Sequence, residues 1–257
     1  MAMIEVRHDG AVSVVLLDRP EALNAISTAF ALELTERLRA LAAEPSTRAV
    51  VLASSGGRAF CVGADLKERD GFTDAQMYAQ RAVLRALFDA VRELPMPAVA
   101  AVGGFALGGG FELALCCDLI AADAGAVFGL PETSVGLVPG GGGTQLLSRR
   151  IGLARAADLI YTGRHVGHAE ACTLGIVDRT AKSGAGALDT GLELAAAIAA
   201  NSPIAVRRAK HALRTGFDVP LAAGLEVEDA AWRVAAFSPD RVEGIRAFTE
   251  KRRPDFA

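Results

Sequence analysis

From Leu94 to Phe111 the chain carries no charged residue, and the run ends in the stretch ALGGGFELAL, where three glycines precede a single carboxylate, Glu112. A segment this apolar belongs inside the molecule. It is poor material for a membrane-spanning helix, because Pro95 and Pro97 break helices and Gly103, Gly104 and Gly108 to Gly110 weaken them. Shorter elements fit better: AVAAV as a buried strand, GGGFELALCC as a helix, then strands at DLIAAD and AVFGL. The carboxylate then needs a reason, since a buried Glu without a partner is costly and tends to neutralise. Either Glu112 is satisfied structurally or it performs chemistry.

Upstream, IEVR and VSVVLL read as two strands joined by the turn HDGA, a hairpin. From Ser27, apolar Phe30, Leu32, Leu34, Leu38 and Leu41 alternate with Glu33, Glu36, Arg37 and Arg39 in the pattern of an amphipathic helix. RAVVLAS follows as a buried strand and SGGRAFCVGAD as a loop; Thr73 and Gln76 then form a capping box that opens a helix running towards Leu94. Strands alternating with helices argue for an α/β fold.

Beyond Thr144 helices dominate: TQLLSRRIG, LARAADLIYTG, HAEACTLG and the alanine-rich LDTGLELAAAIAAN, with one strand at IVDRT. After Pro203 the pattern is helical only, and Ser238 before Pro239 reads as an N-cap with proline in the first turn. With no linker, low-complexity tract or strict repeat, the tail from about residue 201 should pack on its own domain or on a partner's.

The 257 residues, 51% hydrophobic and 22% charged, suit a globular protein with one large domain, alone or with an appendage. A formal net charge of -3 gives no global field to recruit nucleic acid or an anionic membrane. The opening MAMIEVRHDG lacks a secretory pattern, so the cytoplasm is the expected compartment. Cys61, Cys116, Cys117 and Cys172 show no paired spacing and are expected to be reduced core thiols. His165, His168 and Cys172 lack a fourth nearby ligand, so no metal site is expected.

The chemistry concentrates around the glycines. The first amides of a helix lack intrahelical acceptors and carry the positive end of its dipole, so Gly108 to Gly110 offer a place for an anion or polarised carbonyl. Tight helix-on-strand packing is the structural alternative for the same glycines. Glu112, three residues after Gly109, leans back over that turn. A second carboxylate, Glu132 in FGLPET, precedes another glycine run, Gly140 to Gly143. Two neighbouring carboxylates push their pKa values apart and suit acid-base chemistry. A glycosidase uses such a pair too, but a chain that is 5% aromatic with one Trp lacks sugar platforms, and the Gly109 donors point to a developing oxyanion. Neither nucleotide-binding glycine pattern nor a G-x-S-x-G elbow is present. The residues alone therefore specify an α/β enzyme that stabilises an enolate or similar anion.

The segments RPEALNA, RAFCVGADLKE, ALGGGFELALCCD, FGLPETSVGLVPGGGGTQ and AFTEKRRPDF, in that order, resemble the enoyl-CoA hydratase/isomerase, or crotonase, family along nearly the whole chain. GADLKER and PGGGGTQ are similar in form to methylglutaconyl-CoA hydratases. The resemblance implies a spiral of repeated ββα units over residues 1–200 and a helical region, 201–257, that builds homotrimers, usually paired into hexamers. It implies an oxyanion hole from the amides of Ala64 and Gly109, with Glu112 and Glu132 flanking a water and Gly140 offering a nearby amide. It further implies that Ala22 and Leu23 line the path of coenzyme A, that Ala64, Asp65 and Leu66 offer backbone to adenine, that Lys67 meets phosphate, and that Phe248 and Lys251 act on a neighbouring subunit's site. Coenzyme A would enter as part of an acyl-CoA substrate, with no separate cofactor.

Three departures bear on acyl specificity and water placement: Leu130 where short-chain hydratases often have Gln, Val62 for a common Ala, and GTQLL without the arginine of GTQRL. An acidic acyl tail would want a nearby cation, for which Arg81 and Arg85 are candidates. RNA binding, known among methylglutaconyl relatives, is disfavoured because residues 27–42 contain no lysine and Arg37 and Arg39 are balanced by Glu33 and Glu36.

Overall fold

The computed structural model describes residues 2–256. A hairpin of β1 (Ile4–Asp9) and β2 (Val12–Leu17) comes first, followed by a short turn at Pro20–Ala22 and helix α1 (Thr28–Ala42), whose N-cap Ser27 accepts from the Phe30 amide. Three turns of a spiral follow. The first comprises β3 (Ala49–Ser54), β4 (Ala59–Cys61), the four-residue α2 (Leu66–Arg69) and α3 (Asp74–Arg92); the second β5 (Ala98–Val102), β6 (Phe105–Leu107) and α4 (Gly109–Cys116). The third has β7 (Leu119–Ala122), β8 (Val127–Gly129), a 3-10 turn at Pro131–Val135, α5 (Gly143–Ile151) and α6 (Leu153–Thr162). Strand β9 (Val166–Gly167), α7 (His168–Leu174), β10 (Arg179–Thr180) and α8 (Ala187–Ala199) close the core, and α9 (Pro203–Phe217), α10 (Leu221–Ala236) and α11 (Pro239–Thr249) form the tail.

In each turn the first strand joins one sheet and the second joins another. The larger sheet has the order β1-β2-β3-β5-β7-β10, parallel after the opening hairpin; the smaller is β4-β6-β8-β9, parallel except for β9. Both faces of the larger sheet are covered, which is why its strands read as unbroken apolar runs. Val15, Leu17, Val50, Leu52, Ala98 and Ala100 face the main core, while Val14, Leu16, Val51, Ala53 and Ala101 face α8. That helix is alanine-rich because it lies close on the sheet; a Cβ on its Gly191 would stand 3.0 Å from the Ala101 Cβ.

The α/β spiral with a helical tail agrees with expectation, including the hairpin, the Thr73–Gln76 capping box and the Ser238 N-cap. Two assignments need correction. The stretch SGGRAFCVGAD is not all loop, since it holds β4, whose three residues are too few to show a period. The strand at IVDRT shrinks to Arg179–Thr180, because only these residues pair with β7. The tail is fastened to its own core: Lys210 Nζ lies 2.8 Å from Asp118 Oδ2 and donates to the Met96 carbonyl at 2.8 Å, and Arg214 meets Asp118 Oδ1 at 2.9 Å.

Candidate active site

The first component is a pair of amides. Asn24, buried, donates through Nδ2 to the Phe60 carbonyl on β4 at 2.9 Å and accepts from the Arg19 amide at 2.8 Å, which pins the 19–26 segment beside that strand. Ile26 then makes a parallel bridge to Ala64: its amide donates to Gly63 O at 2.7 Å and its carbonyl accepts from Asp65 N at 3.0 Å. Such a bridge engages residues 63 and 65, so the N–H of Ala64 faces the opposite way. The Gly109 amide opens α4, where no intrahelical acceptor exists. Among the described residues neither amide has a protein acceptor. They are neighbours: a Cβ on Gly63 would lie 2.8 Å from Gly109 N, and one on Gly109 would lie 3.7 Å from Ala64 N.

The three glycines divide between packing and chemistry. Gly110 packs, for a Cβ there would lie 2.0 Å from the Cys61 carbonyl oxygen. Gly108 has φ +51, a left-handed conformation natural to glycine, and a Cβ there would lie 3.2 Å from Glu132 Oε1.

Glu112 is buried, and its Oε1 accepts from the amides of Gly141 at 2.7 Å and Gly143 at 2.8 Å, at the start of α5. The carboxylate in the apolar run is therefore held by a helix N-terminus formed about thirty residues later. Burial pushes its pKa up, while those amides, the Arg81 charge and the nearby Gly140 amide pull it down. Oε1 carries both bonds, and Oε2 accepts none from the described residues.

Glu132 follows Pro131 on the 3-10 turn. Its Oε2 is buried without a hydrogen-bond partner among the described residues. Burial pushes its pKa from 4.5 up to about 7, and the charge of Glu112 adds to the rise. Glu112, Glu132, Ala64, Gly109 and Gly140 all line one cavity of about 630 Å³, together with Leu66.

The other expected site residues lie outside that cavity. Ala22 ends the 3-10 turn, Leu23 and Lys67 sit beyond the cavity wall, and Leu23 takes a left-handed φ of 52°. Asp65 is structural in its side chain: Oδ1 accepts from the amides of Lys67 and Glu68, and Oδ2 meets Arg19 Nη1 at 2.7 Å. Phe248 and Lys251 are on the exposed surface of the tail and do not line the cavity. Leu130 is fully buried against the glycine run, its Cδ1 only 2.9 Å from where a Gly143 Cβ would be. Val62 lines the cavity, whereas Leu146 lines a different one with Arg149 and Arg150. Cys172 Sγ lies 3.5 Å from His168 Nε2, His165 abuts Gly129 instead, and among the described residues no group of three such side chains could hold a metal. All four cysteines are free.

Sequence reasoning missed the amides of Gly141 and Gly143 as the partners of Glu112, and Arg69 as a wall residue. Of the two arginines named from the sequence, Arg81 reaches the cavity and Arg85 does not; the latter is exposed and lies 3.8 Å from Asp89.

Residues 7–257 match the family model described as enoyl-CoA hydratase/isomerase. The chain is 42% identical over 250 residues to the mouse enoyl-CoA hydratase domain-containing protein 2, mitochondrial, covering 95% of this chain and 84% of that one. It is 36% identical to the rat methylglutaconyl-CoA hydratase, mitochondrial, covering 98% of this chain and 82% of the relative. The crystal structure of an enoyl-CoA hydratase from Bacillus anthracis superposes with a TM-score of 0.97 at 41% identity, covering 99% of each chain.

Proposed function

The chain belongs to the enoyl-CoA hydratase/isomerase family, and we propose that within it this protein is a hydratase, adding water across the α,β double bond of a 2-enoyl-CoA thioester to give a 3-hydroxyacyl-CoA. The observation that carries this reading is the pair Glu112 and Glu132 on one cavity with the free amides of Ala64 and Gly109. The thioester oxygen accepts from the two amides, which stabilise the enolate more than the ground state. Water adds to the β-carbon as the double-bond electrons move onto the thioester. Glu112 takes the proton from water, and Glu132 delivers one to the α-carbon.

The division of labour follows from the partners. Two amide donors from the start of α5 favour the charged form of Glu112, which suits a base, whereas for Glu132 burial outweighs the pull of its own backbone amide and leaves a pKa near 7, which suits an acid. The amide of Gly140 stands beside Glu112 to steady the water. Family members that only isomerise commonly lack one of the two acids, so the presence of both favours hydration. A methylglutaconyl-type thioester is a second reading, favoured by the arginines on the cavity wall.

Ala22 and Leu23 would carry pantetheine, with backbone of Ala64, Asp65 and Leu66 at adenine and Lys67 at phosphate. Coenzyme A belongs to the substrate and no further cofactor is needed. Exposed Leu213, Phe217, Leu221, Trp232 and Phe237 on the tail support self-association into trimers or hexamers, where Phe248 and Lys251 would complete a neighbour's site. No described helix is long and apolar enough to cross a membrane. Some relatives of the chain are named as mitochondrial.

The test is to mix purified protein with a short linear 2-enoyl-CoA in isotopically labelled water. Loss of enoyl-thioester absorbance with labelled oxygen at the β-carbon is expected. Conversion of a 3-enoyl-CoA to the 2-enoyl isomer, with no label taken up from either substrate, would contradict the reading.

A further inference from the structure

A thioester whose oxygen accepts from the Ala64 and Gly109 amides has the rest of its atoms placed in order. Coenzyme A leaves on the side of residues 64–67, the α- and β-carbons stand beside Glu132 and Glu112, and the remaining acyl carbons continue beyond Glu112. What lies there is Phe88, buried on α3: a Cβ on Gly141 would stand 2.8 Å from Glu112 Oε2 and 2.4 Å from the Phe88 ring. Phe88 and Gly141 meet, so they close the inner end of the cavity, and the acyl chain turns outward along α3.

Two apolar walls run outward from that end. One is the helix face Phe88, Leu84 and Met77, at steps of four and seven residues. The other is the segment leading into the glycine run, with Val135, Leu137 and Val138. The walls stay side by side, since about two helical turns out from Phe88 a Cβ on Gly140 would stand 3.4 Å from Arg81 Nη1. Arg81 is exposed and, among the described residues, pairs with no carboxylate, so its stem extends the apolar wall while its charge keeps to water. Leu84 and Phe88 are buried, but Val135 and Val138 are 58% and 72% exposed, so the outer part of this trough leaves large apolar side chains to water. From Phe88 to Met77 the helix rises about 16 Å, the span of about thirteen carbon–carbon bonds in an extended chain.

Resting on the hydratase reading of this site, we infer that the acyl group it is built for is an apolar chain of about eight to twelve carbons, whose tail lies in the trough between α3 and residues 135–138 and covers Val135 and Val138. A second copy of the chain seated on the same rim is the competing occupant, and it would shut the trough after the first few carbons. The acyl tail is the better fit, because the trough is continuous with the two acids and a contact at the rim would leave its inner half, at Leu84 and Phe88, unfilled.

Binding of unreactive saturated thioesters separates this inference from the reaction itself. Calorimetry on the intact protein would compare butanoyl-, hexanoyl-, octanoyl- and decanoyl-CoA with free coenzyme A. Affinity is expected to rise about two- to fourfold per methylene and to gain about fiftyfold or more between butanoyl- and decanoyl-CoA. In Val138→Asp and in Met77→Asp, on opposite walls, decanoyl-CoA should lose about tenfold or more while butanoyl-CoA loses far less, with circular dichroism showing each variant folded. Equal binding of butanoyl- and decanoyl-CoA by the wild type would overturn the inference, and is the result that a rim closed by a second copy would give. So would an undiminished rise with chain length in both variants, which would send the tail elsewhere. If the rise holds but no enoyl-CoA is hydrated, the hydratase reading fails and the acyl trough stands.

Discussion

At the scale of single residues, the two carboxylates differ in what holds them. The raised pKa of Glu132 sets the sign of two expectations. Its folded-state pKa, about 7, lies above the ordinary 4.5, so the folded protein binds that proton more tightly than the unfolded chain does. The penalty for ionising it is absent below pH 4.5, grows between 4.5 and about 7, and is complete above. Glu132→Gln should therefore be more stable than wild type at pH 8, by about 1–2 kcal/mol once solvent screening is allowed for, with the gap closing below pH 4.5. Thermal unfolding across that range checks it; a variant less stable than wild type at pH 8 would contradict it. In kcat/KM, loss of the Glu132 proton should cut the rate above pH 7, and protonation of Glu112 should cut it on the acid side. Gly63→Ala should lower kcat by about 10²–10³, because the new Cβ would meet Gly109 N at 2.8 Å on a backbone with φ +88. Activity near wild type in that variant would mean the two amides are not the oxyanion hole. Glu112 was legible in the sequence as the single carboxylate closing an apolar run. Its partners were not, because the amides of Gly141 and Gly143 lie 29 and 31 residues away and nothing local links them.

At the scale of elements, the long helices and buried strands were legible because periodicity and caps are local properties: Thr73 and Ser238 both cap as their sequences say. The smaller sheet was not legible from pattern. Strands β4, β6 and β8 have three residues each, shorter than one full alternation on each face, and they exist because the spiral stacks them. The attachment of α9 is likewise tertiary. Asp118 accepts from the Ala98 amide and faces both Lys210 and Arg214, and Lys210 is buried enough that desolvation depresses its pKa. Asp118→Ala leaves that ammonium buried with only a carbonyl, so a loss of about 3–5 kcal/mol is expected. Chemical denaturation measures it, and a loss under 1 kcal/mol would mean the tail is held by apolar contact alone.

At the scale of the whole molecule, the repeat is geometric and leaves no strict sequence repeat, so the spiral was reached through resemblance and not through a period in the chain. Its consequence is functional. Successive turns bring β4, β6 and β8 side by side, so that the loops after them, with Ala64, Gly109 and Glu132, converge on one cavity. The tail exposes large apolar side chains in the single chain, and Phe237→Glu should shift sedimentation towards smaller species; an unchanged assembly would place the interface elsewhere. What remains is the convergence itself, measured most directly by hydration kinetics of Glu112→Gln, Glu132→Gln and the double variant, each confirmed folded. If the two acids act as a unit over the amides, each single change lowers kcat by about 10²–10⁴ and the double change costs little more than the worse single one. A single variant at wild-type speed, or losses that simply multiply, would show that the two carboxylates do not serve the same water.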